Sequence, residues 1–213
     1  MRQNLANLIA QIRSCDKCYL STLNRGRGRA NKSPVVGSGN PESDILLVGE
    51  ALGTHEREQG LPFIGAAGQL LRRTFKSFLD LENHVFITNI VLCQPPGNSI
   101  ESSYIESCYP NFQALLKMIS PNIIITLGKT AYEGVMLTKV ATITDKYIIR
   151  RKIGLNGKEV DVLPMAHPSA ITRRYRAYQP GSIEVENAIK DPVWNQQIEW
   201  LKNTIVSIRK ESK

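Results

Sequence analysis

The chain has 213 residues, and its 27 lysines and arginines outnumber its 19 aspartates and glutamates to give a net charge of +8. This length suits one core, so we expect residues 1–213 to form a single domain. The positive charge favours a polyanion such as nucleic acid as a partner, and no apolar run reaches the ~18 residues that a membrane span needs.

The N-terminal residues 1–14 have the spacing of an amphipathic helix. Their apolar residues fall on one helical face: Leu5, Leu8, Ile9 and Ile12. Polar residues interrupt this stretch, which therefore lacks the unbroken apolar core of a secretory signal. We expect a cytoplasmic protein with reduced thiols, whose four cysteines are ligands or core residues rather than disulfides.

Four short apolar runs alternate with longer helical patterns along the chain. The runs cover residues 44–49, 85–90, 122–127 and 160–166, and the helical patterns cover 68–79, 100–119 and 130–137. Short, nearly continuous apolar runs are typical of parallel strands that are covered on both faces. The alternation predicts an α/β fold with three layers, α/β/α, around a central, mostly parallel four-stranded sheet.

Two further segments complete the predicted fold. Asn156-Gly157 lies between two β-prone runs before the fourth strand, and this pair favours the type I′ turn of a hairpin. Apolar residues recur at helical spacing over about 183–210. We expect this last segment to form a C-terminal helix that packs on the sheet.

Polar side chains stand at the ends of three predicted strands. Glu50 follows the first strand, Asn89 lies near the end of the second, and His167 follows the fourth. Taken singly, Glu50 is explained as a helix N-cap partner, Asn89 as a turn former and His167 as a surface residue. Because the carboxyl ends of parallel strands meet at one edge of the sheet, the three together predict a ligand site there.

The loop after the first strand is rich in glycine. Gly49 and Gly53 permit close backbone approach, and Gly65–Gly68 opens a helix whose N–H groups can face a phosphate. Phe63 in this loop is either a core residue or a platform on which a planar base stacks.

One phosphate-binding motif is incomplete. Gly128-Lys129-Thr130 is similar to the end of a Walker loop, but that loop needs another glycine at the position of Ile123. The sequence therefore does not support ATP hydrolysis.

The cysteines have an unusual spacing. Cys15 and Cys18 form a close pair, whereas Cys93 and Cys108 are far from that pair and from each other. A structural zinc ribbon would present two close pairs. The pattern suits an iron–sulfur cluster at least as well as zinc, and four unrelated cysteines remain the alternative.

These motifs together resemble the family 4 uracil-DNA glycosylases, the iron–sulfur branch of the uracil-DNA glycosylase superfamily. The resemblance runs from about Cys15 to Arg173 through ordered segments: CDKCYL, VVGSGNPESDILLVGEALGTHE, QGLPFIGAAGQLL, ITNIVLCQPPGNS and AHPSAITR. It implies a DNA repair hydrolase that flips uracil out of DNA and cleaves its N-glycosidic bond, leaving an abasic site.

The resemblance also implies roles for individual residues. It implies Glu50 and His167 as catalytic residues and Phe63 and Asn89 as the residues that stack on uracil and read it. Gly49 would border the base, and Glu56 is our candidate for excluding the thymine methyl group. A [4Fe-4S] cluster would be held by Cys15 and Cys18, which lie in an N-terminal cluster-binding segment of residues 1–20, and by Cys93 and Cys108 further along the chain.

The expected partner is uracil-containing DNA, single- or double-stranded, bound by a monomer. The arginines expected to contact phosphates are Arg25, Arg27 and Arg29 and, after the last motif, Arg173, Arg174 and Arg176. Leu52 replaces the proline that the family usually carries after its acid. This departure leaves one alternative, a DNA-binding iron–sulfur protein of the same fold with altered or no glycosylase activity. A second alternative, a small iron–sulfur electron carrier, is disfavoured by the positive charge and by the convergence of Glu50, Asn89 and His167.

Overall fold

The computed structural model describes residues 2–26, 28, 31–140, 148–177 and 180–211. Within these residues one sheet has six strands in the order β1-β3-β2-β4-β6-β5. The strands are β1 (Ser38–Gly39), β2 (Ile45–Ala51), β3 (Phe86–Val91), β4 (Ile123–Leu127), β5 (Arg151–Leu155) and β6 (Lys158–Met165). The four central strands, β3, β2, β4 and β6, run parallel, and these are the four strands that the sequence predicts.

The strand count of four is corrected to six by two antiparallel edge strands. β1 has only two residues, too few for any periodic pattern, and pairs with β3. β5 is the first arm of the predicted hairpin and pairs with β6. Asn156 and Gly157 connect these arms with φ values of 50° and 78°, as a type I′ turn requires, so the hairpin prediction is confirmed.

Helices cover both faces of the sheet. They are α1 (Arg2–Arg13), α2 (Tyr19–Gly26), α3 (Thr54–Gln59), α4 (Ala66–Phe75), α5 (Ser102–Ile119), α6 (Gly128–Met136), α7 (Pro168–Arg174), α8 (Ile183–Ile189) and α9 (Pro192–Glu211). One core cluster joins α1, α5 and α6 to one face of the sheet, and a second joins α4, α7, α8 and α9 to the other. The α/β class and its three layers are therefore confirmed.

The single C-terminal helix expected over about 183–210 is two helices, α8 and α9. The chain breaks at Asp191, whose Oδ1 accepts a hydrogen bond of 2.9 Å from the backbone N–H of Trp194. Pro192 follows as the first residue of α9, a position that suits proline because its missing N–H would have no helical partner. None of the described helices is both long and apolar enough to cross a membrane.

Candidate active site

A cavity of about 430 Å³ opens where the parallel strands end. The segments that follow β2 and β6, the end of β3 and the start of α4 form its walls. Glu50, Asn89 and His167 all line it, so the structure brings together the three side chains that the strand ends place at one edge. Of the other predicted base-site residues, Phe63 and Glu56 line the same cavity, and Gly49 lies against Asn89 and Phe63.

Asn89 contributes an orphaned acceptor to this cavity. The residue is 2% exposed, and its Oδ1 is buried without a hydrogen-bond partner among the residues that the structure describes. Leaving a buried acceptor unpaired costs about 1–3 kcal/mol, so native proteins rarely do so outside sites that receive a ligand. Gly49 lies against Asn89 and Phe63, and any side chain at Gly49 would collide with both.

Phe63 forms one wall in an unusual backbone conformation, with φ of 55°. Arg72 fixes this turn, because its Nε donates to the Phe63 carbonyl at 2.8 Å and its Nη2 donates to the Pro62 carbonyl at 3.2 Å. The Phe63 ring is buried, and its centroid lies 6.3 Å from that of the His167 ring. The phenylalanine therefore presents a fixed flat surface beside the histidine.

His167 caps α7 and has one ring nitrogen already occupied. Its Nδ1 accepts from the backbone N–H of Ser169 at 3.1 Å and lies 2.7 Å from the Ser169 hydroxyl. Because a backbone N–H can only donate, Nδ1 carries no proton, and the neutral ring bears its hydrogen on Nε2.

The surroundings of His167 favour this neutral form. Burial lowers the pKa of His167 below its ordinary value, and the charge of Arg173 lowers it further. The carboxylates of Glu50 and Glu56 act in the opposite direction. Desolvation is the largest of these effects, so the imidazole is neutral and acts as a hydrogen-bond donor through Nε2.

The first turn of α6 contacts both the acid and the histidine. Thr130 Oγ1 donates a hydrogen bond of 2.5 Å to Glu50 Oε2. Gly128, with φ of 84°, packs against the side chain of His167. Thr130 is a site residue that was not predicted, although it lies in the incomplete Walker motif.

Glu56 shapes the loop that precedes α4. Its Oε1 accepts from the backbone N–H groups of Ile64 at 3.0 Å and Gly65 at 2.8 Å. These bonds fix the backbone on the C-terminal side of Phe63. A role of Glu56 against thymine stays a prediction. Leu52, the departure from the family pattern, is buried at 2% exposure and lines the same cavity.

Gln94, which was not predicted as a site residue, contacts two residues that line the cavity. Its Nε2 donates to Thr54 Oγ1 at 2.9 Å and lies 3.2 Å from Asn98 Oδ1. Thr54 begins α3, whereas Asn98 ends the short turn after β3, and both line the cavity. This buried amide therefore couples the segment after β2 to the segment after β3.

All four cysteines line a second, smaller cavity: Cys15, Cys18, Cys93 and Cys108. The first two are half-buried, and the last two are buried. Asn111 Nδ2 lies 3.4 Å from Cys15 Sγ, and the backbone N–H of Leu92 donates to Cys108 Sγ at 3.4 Å. Segments distant in sequence thus bring four thiols around one space.

The four thiols lie around their shared cavity without a close grouping of three. Within the described ranges, no group of three or more metal-binding side chains converges closely enough to hold a single metal ion. Burial is the main effect that raises the pKa of the Cys108 thiol to about 11; the charges of Cys15 and Cys18 act in the same direction, and the hydrogen bond from the Leu92 N–H acts against them. Such a thiol becomes a thiolate ligand when a bound cation stabilises its charge.

The predicted DNA-contacting arginines differ in their surroundings. Arg173 is exposed and lines the large cavity. The guanidinium of Arg174 instead contacts the buried carboxylate of Asp191 at 2.5 Å. Arg176 is exposed, with φ of 54°. Arg27, Arg29 and the side chain of Arg25 lie outside the described residues.

Comparison with known proteins agrees with this geometry. The sequence pattern of the "Uracil DNA glycosylase superfamily" matches residues 36–206. A type-4 uracil-DNA glycosylase of Sulfurisphaera tokodaii is 36% identical over 176 residues, which cover 78% of this chain and 75% of that protein. Type-4 enzymes of Archaeoglobus fulgidus and Thermotoga maritima are 32% and 33% identical, and the alignments cover 81% of this chain and 85% of each relative. The resemblance to the type-4 enzymes is confirmed, and the chain belongs to the uracil-DNA glycosylase superfamily.

Proposed function

We propose that this protein removes uracil from DNA by hydrolysing the N-glycosidic bond and leaving an abasic site. The observation that carries the proposal is the orphaned Oδ1 of Asn89, buried in a cavity that also contains Glu50 and His167. The type-4 glycosylases that match this chain at 32–36% identity support the same activity.

The amide of Asn89 suits uracil and disfavours cytosine. Uracil must leave the base stack to enter the cavity, which costs a few kcal/mol. Once inside, its N3–H donates to Asn89 Oδ1, and its O4 accepts from the Asn89 amide N–H. Cytosine presents an acceptor and a donor in the reverse order, so both amide groups would stay unpaired. Unpaired buried polar groups discriminate strongly between otherwise similar ligands.

His167 and Glu50 match the two charges that develop as the bond breaks. The C1′–N1 bond cleaves with its electron pair moving to uracil, so negative charge grows on the base and positive charge on the sugar. The Nε2–H of His167 donates to O2 of the departing uracil, and the negative charge of Glu50 stabilises the cationic sugar and orients water towards C1′. Water oxygen then bonds to C1′, and one water proton is released.

We propose that the four cysteines hold a [4Fe-4S] cluster. A cluster contains several iron and sulfide atoms, so its ligands surround a volume rather than converge on one point. The shared cavity of the four thiols fits that requirement. When bound, the cluster would cross-link the α1–α2 junction, the end of β3 and α5 through iron–sulfur bonds.

The remaining expectations concern the setting of the reaction. Arg173, exposed beside the cavity, is our candidate for a phosphate contact, in line with the net charge of +8. We propose that the protein acts as a monomer on DNA in the cytoplasm.

Excision by the purified protein tests the proposed function. We expect wild-type protein to convert oligonucleotides with U·G, U·A or single-stranded uracil into alkali-labile products. Asn89→Asp should lose uracil activity and gain slow excision of cytosine, because a protonated carboxyl can donate to cytosine N3 and accept from its N4 amino group. Asn203→Asp on α9 is the matched control. DNA binding without any alkali-labile product would instead indicate a binding protein of the same fold.

A further inference from the structure

The first turn of α6 has no role in the reaction described so far, yet it contacts two of its groups. Thr130 Oγ1 donates to Glu50 Oε2 at 2.5 Å. Gly128, two residues earlier, approaches His167 so closely that a Cβ atom on the glycine would lie 2.9 Å from His167 Cβ. One helical turn therefore contacts both the acid and the histidine.

We propose that Thr130 is a positioning residue that fixes the carboxylate of Glu50 for attack at the sugar. The inference rests on the proposed function, because it concerns the same site. In the described part of the chain, Thr130 is the one residue that hydrogen-bonds the Glu50 carboxylate. With Oε2 held by Thr130, Oε1 is left to face the cationic sugar or the attacking water.

The position of Thr130 in its helix explains why its hydroxyl serves this purpose. A threonine inside a helix commonly donates to the carbonyl one turn earlier. Thr130 is the third residue of α6, so the preceding turn is strand β4 rather than helix. Its hydroxyl is thus available to Glu50, and its branched side chain has few rotamers, which makes it a rigid donor.

The same location adds an electrostatic effect. β2 and β4 are parallel neighbours, so Glu50 at the end of β2 lies beside the N-terminus of α6, which follows β4 directly. The N-terminal end of a helix dipole favours a negative charge. The N-terminus of α6 therefore favours the ionised carboxylate that the Thr130 hydroxyl contacts.

Loss of this bond should affect the reaction step and leave DNA binding intact. A carboxylate freed to rotate no longer stays aligned with C1′, and misalignment of a reacting group by 1 Å reduces rates by up to about 10². We expect Thr130→Val to lower the single-turnover excision rate on the order of tenfold. The Kd for uracil-containing DNA should not change. Thr130→Ser keeps the hydroxyl and should restore most of the rate.

Two controls separate positioning from a general effect on the fold. Thr126→Val removes another hydroxyl from the same part of the chain, a buried Oγ1 in β4 that has no partner among the described residues. This variant should excise uracil at the wild-type rate. In a Glu50→Ala background, Thr130→Val should cause no additional loss, because the carboxylate that it positions is absent.

The outcomes distinguish this inference from the proposed function. Uracil excision by wild-type protein, with a slow Thr130→Val, an active Thr130→Ser and no further effect in Glu50→Ala, supports the positioning role. Wild-type rates in Thr130→Val, or equal losses with and without Glu50, would overturn the inference and leave the proposed function standing. A wild-type protein that never cleaves uracil DNA would overturn both.

Discussion

The backbone of Gly49 lies so close to Asn89 that a Cβ atom on the glycine would stand 2.4 Å from Asn89 Oδ1. The same atom would stand 2.5 Å from Cζ of Phe63. Both distances are well inside van der Waals contact, so the space between the amide and the aromatic ring exists only because residue 49 has no side chain.

We expect Gly49→Ala to abolish base binding without unfolding the protein. The new methyl group must displace Asn89 or Phe63, and either movement spoils the geometry that uracil needs. Excision should fall by at least about 10², as for misplacement of reacting groups. Gly154→Ala is the matched control, because Gly154 also lies in a strand and its added methyl group meets no atom within 4 Å. Equal activity of the two variants would contradict the pocket geometry.

The lowered pKa of His167 predicts how excision depends on pH. His167 should stay neutral as the pH falls through 6.5, its ordinary pKa. Excision should decline only at lower pH, because a proton on Nδ1 replaces the acceptor of the Ser169 N–H with a second donor. The unfolded chain binds this proton more readily than the folded one, so the free energy of unfolding should also decrease below pH 6.5.

A ¹H–¹⁵N NMR titration of the imidazole groups measures this pKa directly. His167→Ala identifies the His167 resonance. The residual excision rate of this variant should no longer decline at low pH. A midpoint for His167 above 6.5 would contradict the neutral donor.

Removal of one thiol should remove the cluster. We expect purified wild-type protein to be brown and to contain iron and sulfide, and Cys108→Ala to be colourless with a lower melting temperature, because three distant segments lose their cross-link. Ser107→Ala, which changes a residue lining the same cavity without removing a thiol, should keep colour and stability. Metal analysis decides the identity of the group: one equivalent of zinc would indicate a structural zinc site instead.

Substitutions of the neighbouring residues Arg173 and Arg174 should have different effects, one on DNA binding and the other on stability. Arg173→Ala should reduce the salt dependence of binding to uracil-free duplex by about one unit of slope, as expected for one lost phosphate contact. Arg174→Ala should lower the melting temperature, because it leaves the buried carboxylate of Asp191 without its guanidinium partner. Salt titrations and thermal melts measure both effects. A flatter slope with unchanged melting in Arg174→Ala would assign that residue to DNA instead.

The parallel sheet and the convergence of three polar residues could be predicted because both follow from local pattern and topology. Buried parallel strands are continuous apolar runs, and their carboxyl ends meet by construction. Strand β1 could not be predicted, because two residues carry no periodicity. The break between α8 and α9 had a signal in Asp191-Pro192, a cap followed by a favourable first residue, which the longer helical pattern obscured.

The supporting contacts of the site were harder to predict than its central residues. Thr130 is 80 residues from Glu50, and Gln94 is 40 residues from Thr54. Such pairs depend on the register between neighbouring strands and on side-chain direction, which a single sequence does not encode locally. Arg174 illustrates the same limit, since its position in a basic run gives no indication of Asp191.

The placement of Asn89 and Cys93 on one short stretch of chain constrains how this protein can evolve. The three residues between them, Ile90–Leu92, are at most 1% exposed, so the amide and the thiol cannot move independently. An insertion or a shift of register here would relocate both groups at once. A new base preference at Asn89 is therefore reached most directly by exchanging side chains on an unchanged backbone, because any change in the length of this stretch would also move Cys93.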